Sequence, residues 1–406
     1  MNKSSLSGIL RSRLFWKVMA MGTAVWLWNI LVIVTGILVV HRHVNPNTPL
    51  VTYTYNLASA QWAARQNMYD VPETMNYMPQ FAIAYTPFRV TPAPWGVILW
   101  RAVSVAVLAT GLWRFVKQFF APHSIHFFLA ATLLALPLSA AATQNGQANV
   151  ILAGLMLHAV AFIASGKWWP AAALTMLAIV AKPVAIVLVL LAPFFYRALR
   201  LPLAVAFAAL LASPFLFAGL GYVLSQYRGF LHNLSVCSAA PEYDYADITG
   251  ILWPLHVQLS HNVSLAIRAS AGLLTLALWW PGARRLPEPL RAFWLFTLTA
   301  GYLMLFNPMN ESNSYVVFAP ALAVWALHFL RDRALRWMGC VAAFMAFSMG
   351  ILPNIVRPWF GNKFALAYHP IMTFLFLAML AGWISRGKAA NSPVDSKERL
   401  RRDKTR

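Results

Sequence analysis

Acidic side chains are what this 406-residue chain has least of: 11 Asp and Glu against 32 Lys and Arg, with only two cysteines beside them. Cys237 and Cys340 fall in an outer loop and an apolar run, with no mutual partner evident and no metal-ligand spacing, so neither a disulfide framework nor a zinc site is supported. Charged residues make up 11% of the chain and hydrophobic ones 60%, with a mean hydropathy of +0.61. That excludes a water-soluble globule. No glycine-rich phosphate loop and no solenoid-type repeat occurs, so nothing reads as a nucleotide-binding domain. The net charge of +21 does not mark a nucleic-acid binder either. The cations are dispersed over short loops and a tail, where membrane topology and attraction to anionic lipid account for them.

What is abundant is apolar sequence in runs of spanning length. Such runs lie near 18–40, 95–116, 125–142, 148–165, 201–223, 262–280, 291–306, 314–330, 337–352 and 367–386. The stretch 168–197 is too long for one span and is interrupted at Ala181-Lys182-Pro183, so it reads as two shorter helices. The fold class expected is an all-α polytopic bundle of about twelve spans, one domain over 1–385, with outer loops at 41–94 and 224–261. Residues 386–406 are polar, basic and free of aromatics, and are expected to be a disordered cytoplasmic tail. Most Lys and Arg collect on one side of this arrangement, which puts both termini in the cytoplasm. The first apolar run is followed by no small-residue cleavage site and reads as a retained span. Of the acids, Asp70, Glu73, Glu242, Asp244, Asp247 and Glu311 are then outside the cell, and Glu288, Asp332, Asp395, Glu398 and Asp403 inside.

Four constellations carry candidate chemistry. The first outer loop alternates aromatics with amides and two acids, Asp70 and Glu73, and reads as a folded element on the membrane surface. Within it Pro79 keeps Met78 extended and so fixes Tyr77 and Gln80 at the mouth of the bundle, as candidate substrate contacts. The second is the amide cluster Thr143-Gln144-Asn145-Gly146-Gln147-Ala148-Asn149, which either caps two helices or, through Asn145 and Gln147, matches the donor and acceptor pattern of sugar hydroxyls. The third is a pair of cations inside apolar runs, Arg101 and Lys182. Each costs about 2.5 to 3.5 kcal/mol to insert and is expected to face a polar cavity or an anion. Arg101 either does so or snorkels to the outer headgroups, while Lys182, with no acid near it in sequence, suits an anionic ligand such as phosphate. The fourth is Asn307-Pro308-Met309-Asn310-Glu311-Ser312-Asn313-Ser314-Tyr315, one carboxylate among polar side chains between two apolar runs. It is either a helix cap or the seat of a catalytic acid, with Asn310 and Tyr315 beside it for substrate.

Taken in order, Tyr69-Asp70, Asn76-Tyr77-Met78-Pro79, Gln144 through Asn149, Ala181-Lys182-Pro183 and Asn307-Pro308 through Tyr315 resemble glycosyltransferase family 87, over about residues 50–320. These are GT-C membrane enzymes related to polyprenyl-phosphomannose-dependent mannosyltransferases. The resemblance implies a multi-pass protein of the bacterial cytoplasmic (inner) membrane. It would move a hexose or pentose, with inversion, from a polyprenyl-phosphate-linked sugar to a lipid or glycan acceptor at the outer face. Such an enzyme has the bilayer as its third partner, uses no nucleic acid and needs no cofactor; a divalent cation, which Glu242, Asp244 and Asp247 could bind, stays open without a motif to support it. The expected catalytic acids are Glu311 and Asp70, and the expected donor-phosphate ligands Lys182 and Arg101. One departure is plain. Family members often carry an Asp shortly before a Tyr-x-x-Ala, taken as the base, and here Val51-Thr52-Tyr53-Thr54-Tyr55-Asn56-Leu57-Ala58 has no acid. Two other classes remain open at this point, a secondary transporter with a broken helix at Lys182 and a non-catalytic GT-C-like lipid-binding subunit.

Overall fold

The computed structural model describes residues 13–44, 50–70, 75–239, 245–252, 255–257, 259–361 and 363–386. Glu73, Glu242, Asp244 and the basic tail beyond Arg386 lie outside them. Among the described residues the chain is helical, with no strand. The helices are α1 (Arg13–Val44), α2 (Val51–Ala63), α3 (Pro79–Val90), α4 (Trp95–Phe119), α5 (Ser124–Asn145), α6 (Asn149–Ala164), α7 (Trp168–Ala181) and α8 (Ile186–Phe195). They continue with α9 (Arg200–Ala212), α10 (Leu220–Ala239), α11 (Ile248–Leu252), α12 (His261–Arg285), α13 (Leu290–Phe306), α14 (Ala319–Leu330), α15 (Arg336–Phe360) and α16 (Lys363–Ser385).

Among the described residues seven helical segments are long and apolar enough to cross a membrane: Leu14–His41, Trp95–Phe119, Ser124–Asn145, Arg197–Leu216, His261–Arg285, Arg336–Phe360 and Lys363–Ser385. Five more apolar helices are shorter, at 10 to 17 residues. The run expected at 168–197 does break at Lys182. The residue is extended (φ −158°, ψ 125°), as the residue before a proline must be, and a 3-10 turn over Pro183–Ala185 starts the second half.

Two boundaries differ from the sequence reading. The run 201–223 ends early: α9 stops at Ala212, Ser213–Leu216 form a 3-10 turn, and α10 begins at Leu220. Pro214 ends the helix although the composition stays apolar. The segments expected as outer loops hold helices, α2 and α3 in 41–94, in keeping with the folded element expected there, and α11 with most of α10 in 224–261.

The centre is built from the short helices. In α6, 12 of 16 residues are buried; in α13, 14 of 17; in α14, 10 of 12. By contrast α12 buries Ala271, Thr275, Trp279 and Gly282 out of 25 residues. α4 and α6 cross closely because both carry glycine at the contact. A Cβ on Gly154 would stand 2.5 Å from the Val107 carbonyl, and one on Gly111 2.8 Å from the Gly154 oxygen. Indole and hydroxyl groups tie other helices together, with Trp28 Nε1 donating to Thr132 Oγ1 (3.1 Å) and Trp325 Nε1 to Thr297 Oγ1 (2.9 Å).

Candidate active site

Three interruptions of the helical ladder meet at one end of this core. The first is the turn between α5 and α6. Gly146 adopts φ +70° and closes α5 with a left-handed cap, and the Gln147 N–H returns to the Ala142 carbonyl (3.0 Å). That turn presents Gln147 and Asn149, both buried. The second is the extended Lys182 between α7 and α8. The third follows α13, where Asn307 is extended before Pro308 and Glu311 precedes a 3-10 turn over Ser312–Val317.

The side chains join up. Lys182 Nζ donates to Asn149 Oδ1 (3.0 Å). Asn149 Nδ2 donates to Gln147 Oε1 (3.0 Å) and to Ser314 Oγ (3.2 Å), and Gln147 Nε2 donates to Glu311 Oε2 (2.5 Å). Glu311 itself is exposed, so a carboxylate open to substrate is held from behind by a buried amide. Above this row stands a pair of tyrosines. The Tyr55 and Tyr77 hydroxyls lie 2.8 Å apart, and the Ala148 N–H donates to Tyr55 Oη (3.2 Å). Tyr55 also contacts the rings of Phe81, Tyr85 and Trp100 edge-on, while Tyr77 stacks on Phe81. Burial pushes the Tyr77 phenol up to about 12; the bond from Tyr55 opposes the shift and the Glu311 charge adds to it. Tyr77 is therefore a neutral hydroxyl at any physiological pH.

The other residues singled out from sequence take different places. Arg101, 1% exposed, donates from Nη1 to the Val97 carbonyl (3.0 Å) and from Nη2 to the Gln144 carbonyl (2.8 Å), while the neighbouring Trp100 Nε1 donates to the Gly146 carbonyl (2.8 Å). These bonds hold the α5–α6 turn. Asn310 Nδ2 donates to the Leu303 (3.1 Å) and Met304 (2.9 Å) carbonyls and so caps the end of α13. Tyr315, stacked on His369, donates to the Ala246 carbonyl (2.9 Å). Gln80 Nε2 donates to the Leu210 carbonyl (2.8 Å) and to Tyr227 Oη (2.7 Å), joining α3 to α9 and α10. Asn145 is half-buried at the end of α5. Asp70 is exposed, accepts from Asn67 Nδ2, and shares no hydrogen bond with the row around Glu311.

Gln147, Glu311, Lys182 and Tyr77 are thus brought together. The residues that complete the row, Tyr55, Asn149 and Ser314, lie in the same stretches but are not among the site candidates that the sequence offers. The signal for Asn149 was its place in the amide cluster, and that for Tyr55 the Tyr-x-x-Ala spacing. A second acid is used differently. Asp247, 1% exposed, accepts from the Thr249 N–H (2.8 Å) and hydroxyl (2.6 Å) and pairs with Arg268 (3.5 Å). Burial raises its carboxyl above the ordinary range against the pull of those partners. Among the described residues no three His, Cys, Asp or Glu side chains converge as a metal site would require.

The family model for glycosyltransferase family 87 matches residues 76–308, more than half of the chain. The chain belongs to glycosyltransferase family 87. No curated protein matches it. Among solved structures, the crystal structure of ArnT from Cupriavidus metallidurans bound to undecaprenyl phosphate is similar at 15% identity and a TM-score of 0.47, over 93% of this chain and 79% of that one. The matched stretch of this family 87 glycosyltransferase contains Tyr77, Gln147, Asn149 and Lys182, and Glu311 follows three residues beyond it.

Proposed function

We propose that this membrane glycosyltransferase moves a hexosyl or pentosyl group from a polyprenyl-phosphate carrier to a lipid or glycan hydroxyl at the outer face of the cytoplasmic membrane, with inversion and with both termini inside. The observation that carries the reading is the joining of an exposed carboxylate, Glu311, to a half-buried ammonium, Lys182, at one mouth of the bundle. Among the described residues Glu311 is the carboxylate bonded into that cluster, in a chain whose first outer helix has no acid at 51–58.

The chemistry follows from the two charges. Glu311 accepts the proton of the acceptor hydroxyl as its oxygen attacks the anomeric carbon. The bond from that carbon to the phosphate oxygen breaks on the opposite face, and its electron pair leaves with the polyprenyl phosphate. Lys182 stabilises the charge gained there, so that the leaving group needs no metal. Tyr77, neutral and beside Glu311, offers a hydroxyl to the incoming sugar or acceptor. A lipid-linked donor also fits a chain without a nucleotide-binding motif.

The test is transfer of labelled sugar from a panel of polyprenyl-phosphate sugars by purified protein, with membrane lipid extract as acceptor. Glu311→Gln is expected to remain folded and to lose transfer by about 10²- to 10⁴-fold, the range of a general base. Full activity in Glu311→Gln moves the base elsewhere. No transfer from any donor by folded wild-type protein favours a lipid-binding subunit.

A further inference from the structure

We propose that Asn149 and Gln147 form a one-directional amide bridge that couples donor phosphate at Lys182 to the basicity of Glu311, both amides acting as positioning residues. The proposal rests on the reading of Glu311 as base and Lys182 as phosphate ligand.

The argument starts from what each group can do. An ammonium only donates, an ionised carboxylate only accepts, and a side-chain amide does one at each end. With a cation at one end of the row and an anion at the other, two amides in series satisfy every bond in one orientation alone. Asn149 must turn its carbonyl to Lys182 and its N–H to Gln147, and Gln147 must turn its carbonyl to Asn149 and its N–H to Glu311. The structure has that orientation. The second Asn149 N–H goes to Ser314, on the turn that Glu311 opens, so the bridge is anchored to the same backbone as the carboxylate it serves. Bonds that all run one way polarise each other, and the ammonium strengthens the grip of Gln147 on Glu311 from two residues away.

A direct Lys182–Glu311 pair would work against the reaction, because each charge would satisfy the other. The bridge keeps them apart and still linked. When phosphate draws the ammonium, Asn149 loses its charged donor, the Gln147 N–H becomes a weaker donor, and Glu311 gains basicity as the donor arrives. Among the described residues the titratable groups that face Glu311 are Lys182, from the α7–α8 break, and the neutral phenols Tyr55 and Tyr77, from α2 and the segment just before α3.

The experiment uses wild-type enzyme and two variants, with whichever polyprenyl-phosphate sugar supports transfer. In wild type the acid limb of kcat, which reports the donor complex, is expected about one pH unit above that of kcat/KM, which reports the free enzyme. In Gln147→Leu most of that difference should vanish and kcat fall about tenfold or more, while donor KM holds because Lys182 and Asn149 remain joined. In Asn149→Asp the new carboxylate has no N–H, so Gln147 must turn its carbonyl toward Glu311; donor KM and kcat should both worsen. Coincident limbs in wild type overturn the proposal, as does a separation that persists unchanged in folded Gln147→Leu. A residue that merely props the fold would lower yield and melting temperature without moving the limbs. If Glu311→Gln is inactive while both amide variants behave as wild type, the bridge falls and the base assignment stands; if Glu311→Gln is active, the base assignment itself has failed.

Discussion

Arg101 and Lys182 are both cations inside apolar segments, both close to the α5–α6 turn, and both expected from sequence to hold phosphate. Their surroundings are opposite. Arg101 is sealed off and gives its guanidinium to main-chain carbonyls of α4 and α5. Lys182 is half-buried and gives its ammonium to one side-chain amide. The Gln144 carbonyl, in the last turn of α5, cannot leave without unwinding that end, so Arg101 is committed to architecture. An amide side chain can change partner by rotating, so Lys182 can be exchanged to a ligand. Insertion cost alone does not separate a structural cation from a functional one; the type of acceptor does.

The comparison can be broken from several sides. The largest effect is expected from Arg101→Met, which leaves the Gln144 carbonyl at the C-terminal end of α5 without its guanidinium partner, at about 1–3 kcal/mol, and removes the tie between α4 and the α5–α6 turn; thermal unfolding in detergent should show a clear loss of stability, and activity should fall only with the folded fraction. Lys182→Ala should do the reverse. Its unfolding curve should match wild type while kcat/KM for donor falls by about 10- to 150-fold, the worth of a charged hydrogen bond of about 1.5–3 kcal/mol. Equal damage to folding in both variants would erase the distinction drawn here. Gly146→Ala sharpens it, because the new methyl would lie 2.7 Å from Thr52 Cγ2 and 2.9 Å from Arg101 Nη2 at φ +70°. The left-handed conformation alone costs about 1–2 kcal/mol in a residue with a Cβ. That variant should lose stability first and activity second. The smallest effect is expected from Asp70→Asn, which lies outside the Glu311 row; transfer should stay within about twofold of wild type, and a large loss there would make Asp70 the base.

Much of this was legible in the chain. Apolar runs, the break at Lys182-Pro183 and the convergence of four polar motifs are local features, set by composition and by the restriction proline places on its predecessor. What escaped was of two kinds. Hydropathy does not register where an apolar run is interrupted, so α9 and the start of α10 merged across Pro214, and the rest of α10, lying in a polar segment, read as a loop, whereas the helical spacing at 55–63 had already marked α2 as a folded element. Partnerships over long separations were also invisible. Nothing near Asn310 tells that its amide goes to α13 carbonyls, or near Tyr315 that its hydroxyl goes to Ala246. The same polar residue types serve sugar hydroxyls and stray carbonyls equally well, and only the fold decides between them.

The short central helices have a consequence for how this enzyme sits in different membranes. At about 1.5 Å per residue, α6, α13 and α14 measure about 24, 26 and 18 Å, less than a hydrocarbon layer of about 30 Å. They are wrapped in protein, so the mismatch is never presented to lipid, and a thicker or thinner bilayer strains the long perimeter helices by tilting them. Gln147, Asn149 and Glu311 hang from the ends of the wrapped helices. The row from Lys182 to Glu311 is thereby insulated from bilayer thickness, and transfer activity should follow lipid chain length far less than the stability of the whole bundle does.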